Sequence, residues 1–399
     1  MPFAKEFIKY KNAFEVLELL LNQSVSRSEI SEATGLTRTT VGNIVKTFIE
    51  LGFVREKREK RKNISGAGRK PIPLEIIPSF LHAIGVGILR HQVIGCLINM
   101  KGKLLFHEMS PVYEKRDVEE VLKNVTYVVD NLLGKAKKES LEVKTIGLGI
   151  PGPLDPVKGM VLKPPKFSNF ENVPLVQILH DRYGISTWIE NDADMAALGE
   201  KRYGGGRDMS NLIYIHTSEG VGAGIIMDNH LYRGKIGYSG EVGHLLIRKN
   251  GNFTYFEDVY GMDVVVERAR VEISNDIEKL QDLTEKIRSG DEKAEKLVKE
   301  IARDFGMLIL SLVHILGIPD VFIGGKYQFL GDTFIREVRE VVNEYGIFGS
   351  KVNIQYSHLG DMAIPLGAAS HAIAMYLKTL VVMSDRKRVL KEIPEFLYV

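Results

Sequence analysis

Residues 84–98 read IGVGILRHQVIGCLI, and residues 212–226 read LIYIHTSEGVGAGII. Each is an apolar run, a polar turn and a second apolar run, the pattern of a β-hairpin. The second turn is built around Thr217, Ser218, Gly220, Gly222 and Gly224, hydroxyls and bare backbone whose N–H groups can close on a phosphate. The first turn carries Leu89, Arg90, His91 and Gln92 instead. Two such hairpins in one chain, with only one shaped for phosphate, imply an internal duplication and two lobes around a cleft.

From Ile84 onward, strand-like runs alternate with helical stretches, the signature of an α/β protein. IGLGIPGPLD (146–155) ends a strand in a Gly-Pro loop, and WIENDADMAALGE (188–200) runs a strand into Asn191 and Asp192 ahead of a helix. GEVGHL (240–245) follows the second hairpin, and VFIGGK (321–326) closes a strand on Gly324 and Gly325. Loops after strands are where such folds keep their ligands. In that position Asp192 can take a proton from a hydroxyl, as the base of a phosphoryl transfer does. Taken alone, the same residue reads as a helix N-cap. Glu241 and His244 can grip neighbouring sugar hydroxyls, although alone they read as surface polar groups. None of the Gly-Lys pairs is followed by Ser or Thr. There is thus no Walker loop, and any nucleotide site has to be of the two-hairpin kind.

Ahead of this region, SRSEISEATGLTRTTVGNIVKTFIELGFV (26–54) places Ile30, Ala33, Leu36, Val41, Ile44, Val45, Phe48 and Leu51 at helical spacing on both sides of Gly35. Ser26 with Glu29 forms a capping box, and Thr37 can cap the second helix. The result is a helix-turn-helix whose second helix presents Thr37, Arg38, Thr39, Thr40, Asn43 and Lys46, side chains that donate to phosphates and base edges. A plain helical hairpin would share that spacing. The stretch Arg55–Lys70, with eight basic and two acidic residues, alone reads as a solvated face. Following two such helices it reads as the wing of a winged helix, with Arg69 in the GAGRKP segment at its far side, and DNA binding is expected. Pro71, Pro73 and Pro78 are expected to form a stiff linker.

With 399 residues, 44% hydrophobic and 26% charged, the chain is long enough for two or three domains and has a globular composition. The best apolar run, MLILSLVHILGI, contains a Ser and a His and reads as a core helix, so no membrane partner is expected. The N-terminus is broken by charges and does not read as a signal peptide. The lone Cys96 excludes an internal disulfide and a cysteine-cluster metal site. A cytoplasmic location is expected by default.

Several of these motifs together resemble the ROK family of sugar kinases and sugar-responsive repressors. IPGP (150–153), FSNFENVPL (167–175), END (190–192), the Glu241–His244 ExGH motif and LGAA (366–369) follow that family's order and spacing. With the helix-turn-helix in front, the chain is most similar to the repressor branch, of the xylose and N-acetylglucosamine repressor type. The resemblance implies a winged helix-turn-helix over 1–75 and an α/β actin-like (hexokinase-like, ribonuclease H-like) two-lobed domain. Its first lobe would span 76–192 with 365–399, and its second 193–364. It implies Asn169, Asn191, Asp192, Glu241 and His244 as sugar ligands, with Asp258 standing in for the family's sugar-binding Glu and Asp192 the catalytic base in a kinase. Thr217, Ser218, Gly220, Gly222 and Gly224 would be the second phosphate loop, and Gly324 and Gly325 the turn on the adenosine side.

Two departures from the family pattern bear on activity. Active kinases carry Asp-x-Gly-Gly-Thr on the first hairpin, where this chain reads GILRH (87–91). Gly87 replaces the Mg²⁺-organising aspartate, and larger residues replace both glycines and the threonine, which should cost several kcal/mol of transition-state stabilisation. The family's CxCGxxGCxE zinc loop is replaced by NGNFTYFEDVYGMD (250–263). No structural zinc is therefore expected, and Phe253, Tyr255 and Phe256 are expected to pack the loop. The expected function is a sugar-responsive transcriptional repressor of carbohydrate genes, with operator DNA and a sugar as partners and no required cofactor. Paired half-sites imply a homodimer or homotetramer. The alternative is an ATP-dependent hexose or N-acetylhexosamine kinase using Mg²⁺-ATP, or a protein with both activities.

Overall fold

The computed structural model describes residues 2–57, 71–235, 237–249, 251–347 and 351–384. The chain divides into two compact units, Met1–Glu190 with Ala368–Val399, and Asn191–Gly367.

The first unit opens with α1 (Pro2–Asn22), β1 (Val25–Ser26), α2 (Arg27–Thr34), α3 (Arg38–Glu50), β2 (Val54–Glu56) and β3 (Pro73–Ile76). The Ser26 capping box forms: Glu29 Oε2 accepts from the Ser26 amide at 2.7 Å, and Ser26 Oγ accepts from the Glu29 amide. Gly35 turns the chain at φ +68°, a conformation nearly free of cost only for glycine. Thr37 then caps α3 by accepting from the Thr40 amide at 3.2 Å. Tyr10, Phe14, Leu17, Ile30, Val41, Val45, Phe48 and Phe53 form the small core, while Ala33 is exposed. The three strands pair in the order β1-β3-β2, with Arg55 opposite Glu75. The expected linker is therefore partly strand. Pro73 starts β3, a position where its missing N–H removes little from the ladder, and its carbonyl still accepts from the Lys57 amide at 2.8 Å. Residues 58–70 at the tip of the expected wing, including Arg69, lie outside the described residues.

The same unit continues with β4 (His82–Ile88), β5 (Val93–Asn99), β6 (Leu104–Met109), α4 (Val118–Lys138), β7 (Val143–Ile150), β8 (Leu154–Asp155), β9 (Met160–Val161), α5 (Leu175–Tyr183) and β10 (Ser186–Asn191). Its sheet runs β10-β7-β4-β5-β6, with β4 antiparallel to β5 and parallel to β7. The amphipathic α4 buries Val121, Val125, Val128, Val129 and Leu132 against it.

The second unit begins with α6 (Asp192–Tyr203), β11 (Leu212–Thr217), β12 (Val221–Met227), β13 (His230–Leu231), β14 (Leu246–Lys249), β15 (Asn252–Tyr255), α7 (Phe256–Tyr260) and α8 (Met262–Glu272). It continues with α9 (Leu280–Arg288), α10 (Glu292–Leu316), β16 (Asp320–Gly325), α11 (Gly331–Tyr345) and β17 (Asn353–Tyr356). Its sheet runs β13-β12-β11-β16-β17, with β11 antiparallel to β12 and parallel to β16. Both sheets thus build a parallel strand onto a hairpin in the same order, in line with the duplication read from the two quoted stretches. Along β11, Ile213 and Ile215 join the core with α8, α10 and α11. The period of two sends the alternate residues, Tyr214 and His216, to the opposite face.

The final helix, α12 (Ala363–Met383), starts in the second unit and ends in the first. The stretch Gly360–Met383 is long and apolar enough to cross a membrane, but 72% of its apolar window is buried. A helix apolar on all sides and buried in this way is a core helix. Its small residues permit close packing: a Cβ on Gly367 would stand 1.8 Å from the Met195 carbonyl oxygen of α6.

Candidate functional site

In the second unit, β10 hands over to α6 through Asn191, whose side-chain oxygen accepts from the Ala193 amide at 2.9 Å. Asn191 therefore carries the helix cap, and Asp192 is the first helical residue instead of the N-cap. Asp192 is 8% exposed, and the N-terminal end of α6 favours its negative charge. The helix is brought down on the hairpin by two glycines of β12. A Cβ on Gly224 would stand 2.4 Å from the Ala193 carbonyl oxygen, and one on Gly222 would stand 3.2 Å from the Ala193 Cβ.

Following the hairpin, Gly240–His244 is strapped to β12 by the Ala223 amide, which donates to the Gly240 carbonyl at 2.8 Å. Val242–His244 forms a single 3-10 turn. Glu241 Oε2 lies 3.2 Å from His244 Nδ1, and Glu257 Oε1 lies 3.9 Å from His244 Nε2. Gly243 has to lack a side chain, since a Cβ there would stand 2.4 Å from the Val221 carbonyl oxygen and 2.7 Å from Glu257 Oε2. The Tyr255 and His244 rings meet in a T-shaped contact at 5.5 Å between centroids. Glu241 and His244 are both exposed side chains, but partial desolvation raises the Glu241 carboxyl above the usual range; the adjacent His244 opposes the shift, and the charges of Asp192 and Glu257 add to it. Asp192, Glu241, His244 and Glu257 therefore form one electrostatic group, able to accept hydrogen bonds from several hydroxyls and to donate from the imidazole.

Glu257 is the residue that sequence reasoning missed. Asp258, expected in this role, is exposed on α7, whereas Glu257 on the adjacent face is half-buried and directed at His244. Phe256 packs as expected, 4.7 Å from Tyr260 and 5.1 Å from Phe305. Phe253 does not pack and is 75% exposed. It lies on β15 of the two-stranded β14-β15 sheet, and most residues of that strand are exposed.

His216 was likewise hidden inside an apolar strand. It is 7% exposed, and its Nε2 lies 3.9 Å from Asp192 Oδ2. Asn169, in the first unit, is exposed with φ +57°.

The residues expected to hold phosphate are deeply engaged in the fold. Thr217 is fully buried; its hydroxyl donates to the Gly324 carbonyl at 2.7 Å and accepts from the Tyr327 amide at 2.9 Å. Gly220 bonds back to Ser218, whose amide donates to the Gly220 carbonyl at 2.9 Å. Gly324 lies under the Tyr214 hydroxyl, and Gly325, at φ +83°, lies against the Thr217 carbonyl. The turn of the first hairpin is closed as well. The Leu89 amide donates to the Gln92 carbonyl, the Leu89 carbonyl accepts from the Tyr113 hydroxyl, and the His91 carbonyl accepts from the Tyr113 amide. Arg90 is buried, and the His91 ring accepts from Arg116.

On the helix-turn-helix, Thr37, Arg38, Thr39, Asn43 and Lys46 are exposed and Thr40 is half-exposed. Thr40 and Asn43 also line a cavity of about 600 Å³ that α3 shares with α1 and the end of α12.

Residues 11–58 match the IclR helix-turn-helix domain. The xylose repressor of Caldicellulosiruptor bescii is 29% identical over 388 residues, covering 92% of this chain and 96% of that protein. The N-acetylglucosamine repressor of Escherichia coli O157:H7 is 24% identical over 88% of each chain. Among solved structures, a ROK family transcriptional regulator homologous to the E. coli MLC protein superposes with a TM-score of 0.77 at 21% identity, covering 98% of this chain and all of that one. A ROK family glucokinase from Streptomyces griseus, solved with glucose and AMPPNP, gives 0.62 at 25% identity over 73% of this chain and 99% of its own. The fold is therefore a helix-turn-helix domain followed by an actin-like, sugar-kinase-like domain. Residues 83–375 match the ROK family model, and the chain belongs to the ROK family.

Proposed function

We propose that the protein is a sugar-responsive transcriptional repressor that binds operator DNA through α2 and α3 and takes a neutral sugar as its effector. The observation that carries this reading is the pairing, in one chain, of an exposed donor face at Thr37–Lys46 with the Asp192–Glu241–His244–Glu257 group. Relatives named for xylose and N-acetylglucosamine repression align along nearly the whole chain, which makes xylose the first effector to test. Three carboxylates and an imidazole suit hydroxyls; they would repel an anionic ligand. Asn191, next to Asp192 at the start of α6, is a further proposed sugar contact, and Asn169 is proposed as a sugar ligand on the family resemblance alone. The protein is proposed to act in the cytoplasm as a homodimer or homotetramer whose heads read paired half-sites.

The first hairpin supports sensing over phosphoryl transfer. Its Leu89 amide and carbonyl are already paired within the protein, and Gly87 offers no carboxylate for Mg²⁺. ADP release with Mg²⁺-ATP and a sugar panel, with Asp192→Asn as control, should show no turnover above the control.

The decisive experiment is fluorescence anisotropy of the full chain on DNA from upstream of its own operon. The measurement is made across salt concentrations, with and without xylose, glucose and N-acetylglucosamine. Specific binding should weaken steeply with salt, and one sugar should release it. Binding no tighter than to unrelated DNA, or binding indifferent to every sugar, would overturn the reading.

A further inference from the structure

We propose that His216 is a specificity-determining sugar contact, which closes with Asp192 on a single hydroxyl of the effector. The inference rests on the sugar-effector reading above and adds a residue to that site. His216 sits on β11 between its register partners Gly222 on β12 and Gly324 on β16. Neither neighbour has a side chain of its own; the Tyr214 hydroxyl lies over Gly324, and Ala193 of α6 lies over Gly222. The nearly parallel Tyr214 ring precedes it along the strand at 6.5 Å.

Although His216 is 7% exposed, neither ring nitrogen has a hydrogen-bond partner among the described residues. A buried polar ring left in that state costs about 1–3 kcal/mol per unmet group, which is why such groups are normally satisfied or await a partner. Asp192 Oδ2 lies 3.9 Å from Nε2. That separation is too long for a direct hydrogen bond and leaves room for an atom alongside the pair. An oxygen about 2.8 Å from both would subtend roughly 90°, open enough for a hydroxyl to accept from the imidazole and donate to the carboxylate. Asp192 Oδ1 is occupied by the Ala193 amide at 2.8 Å, so Oδ2 is the acceptor that remains for the ligand.

This arrangement calls for a ligand atom that both accepts and donates, as a sugar hydroxyl does. A ligand lacking that hydroxyl leaves two buried polar groups unmet, and sites built in this way discriminate strongly. Asp192 in this role is a hydrogen-bond acceptor, and catalysis is not required of it.

The test is isothermal titration calorimetry of the full chain with D-xylose, D-glucose and N-acetylglucosamine, followed by the monodeoxy series of whichever binds most tightly. His216→Ala should weaken the parent sugar by about 10- to 100-fold, while His216→Asn, which keeps a donor, should recover part of the loss. One monodeoxy analogue should bind wild type about as weakly as the parent sugar binds His216→Ala, and for that analogue alone His216→Ala should add no further loss. Asp192→Asn should single out the same analogue. Affinities within twofold of wild type, or an equal loss against every analogue, would overturn the proposal and leave the sugar-effector reading standing. Absence of any sugar binding by wild type at millimolar concentration would overturn that reading and the clamp with it.

Discussion

Replacing Thr217 by valine preserves the shape of the side chain and removes only its hydroxyl. In the fold that hydroxyl is fully buried and ties the end of β11 to β16: it donates to the Gly324 carbonyl at 2.7 Å and accepts from the Tyr327 amide at 2.9 Å. Valine would leave one buried carbonyl and one buried N–H without that partner, at about 1–3 kcal/mol each. The extra methyl returns about 0.8 kcal/mol of burial, so the net loss is about 3 kcal/mol. For a cooperative unit of this size, such a loss lowers Tm by about 6–12 °C. Thermal unfolding of wild type and Thr217→Val, followed by circular dichroism, measures this directly, with ATP titrated calorimetrically in parallel. If the hydroxyl acted chiefly on a nucleotide phosphate, the variant would melt within about 1 °C of wild type and lose only nucleotide affinity. That outcome would refute the structural role assigned to Thr217.

Three further predictions follow from other parts of the chain. Gly224→Ala places a Cβ 2.4 Å from the Ala193 carbonyl oxygen, so α6 must shift at a cost of about 1–3 kcal/mol. Because Asp192 begins α6, sugar affinity by calorimetry should fall together with Tm, and an unchanged Tm would show that the helix does not rest on that glycine. The raised Glu241 pKa, caused first by burial, means that the fold disfavours the ionised form, so this group lowers stability above its folded pKa and not below its unfolded one. Glu241→Gln should therefore melt slightly higher than wild type near pH 8, the exposure of the side chain keeping the effect small, with the gap closing as pH falls through the carboxylate range in differential scanning fluorimetry; a wild type that is the more stable at pH 8 contradicts this. Arg38→Ala removes one exposed cation from the start of α3 and should reduce the salt slope of operator binding by about 0.9, measured by anisotropy, whereas an unchanged slope would place Arg38 away from the phosphates.

The parts of this molecule that were legible in the sequence are those decided by local pattern. Alternation gave both hairpins, helical spacing around Gly35 gave α2 and α3, and Ser26 with Glu29 gave a capping box that the structure reproduces atom by atom. The parts that were not legible depend on which face an element turns inward. Glu257 and Asp258 are adjacent carboxylates, and only the setting of α7 against the Val242–His244 turn decides that Glu257 meets His244. His216 was read as one more residue of an apolar strand, although Tyr214 and His216 already formed a polar alternate row facing away from Ile213 and Ile215. Glycine carries the same ambiguity: Gly222 and Gly224 spell bare backbone, which serves a phosphate or a helix equally well, and here α6 lies against them.

That contact has a consequence for signalling. The two glycines let α6 approach β12, α6 carries Asp192 to within 3.9 Å of His216 on β11, and a Cβ on Gly367 at the start of α12 would meet the α6 backbone at Met195. A hydroxyl drawn between Asp192 and His216 would therefore pull on a helix packed without side-chain slack against both the hairpin and α12. Close-packed backbones move as bodies because no intervening side chain can absorb the displacement. The end of α12 lines the cavity behind α3, the helix proposed to bind DNA, so an enlarged contact at Gly367 should disturb communication more than folding of the domain that carries α3. Gly367→Ala is expected to lower Tm, as Gly224→Ala does, and below that Tm to retain salt-dependent operator binding in anisotropy while losing most of its response to the effector sugar. A variant that responds to sugar like wild type would exclude the α6–α12 contact as the route.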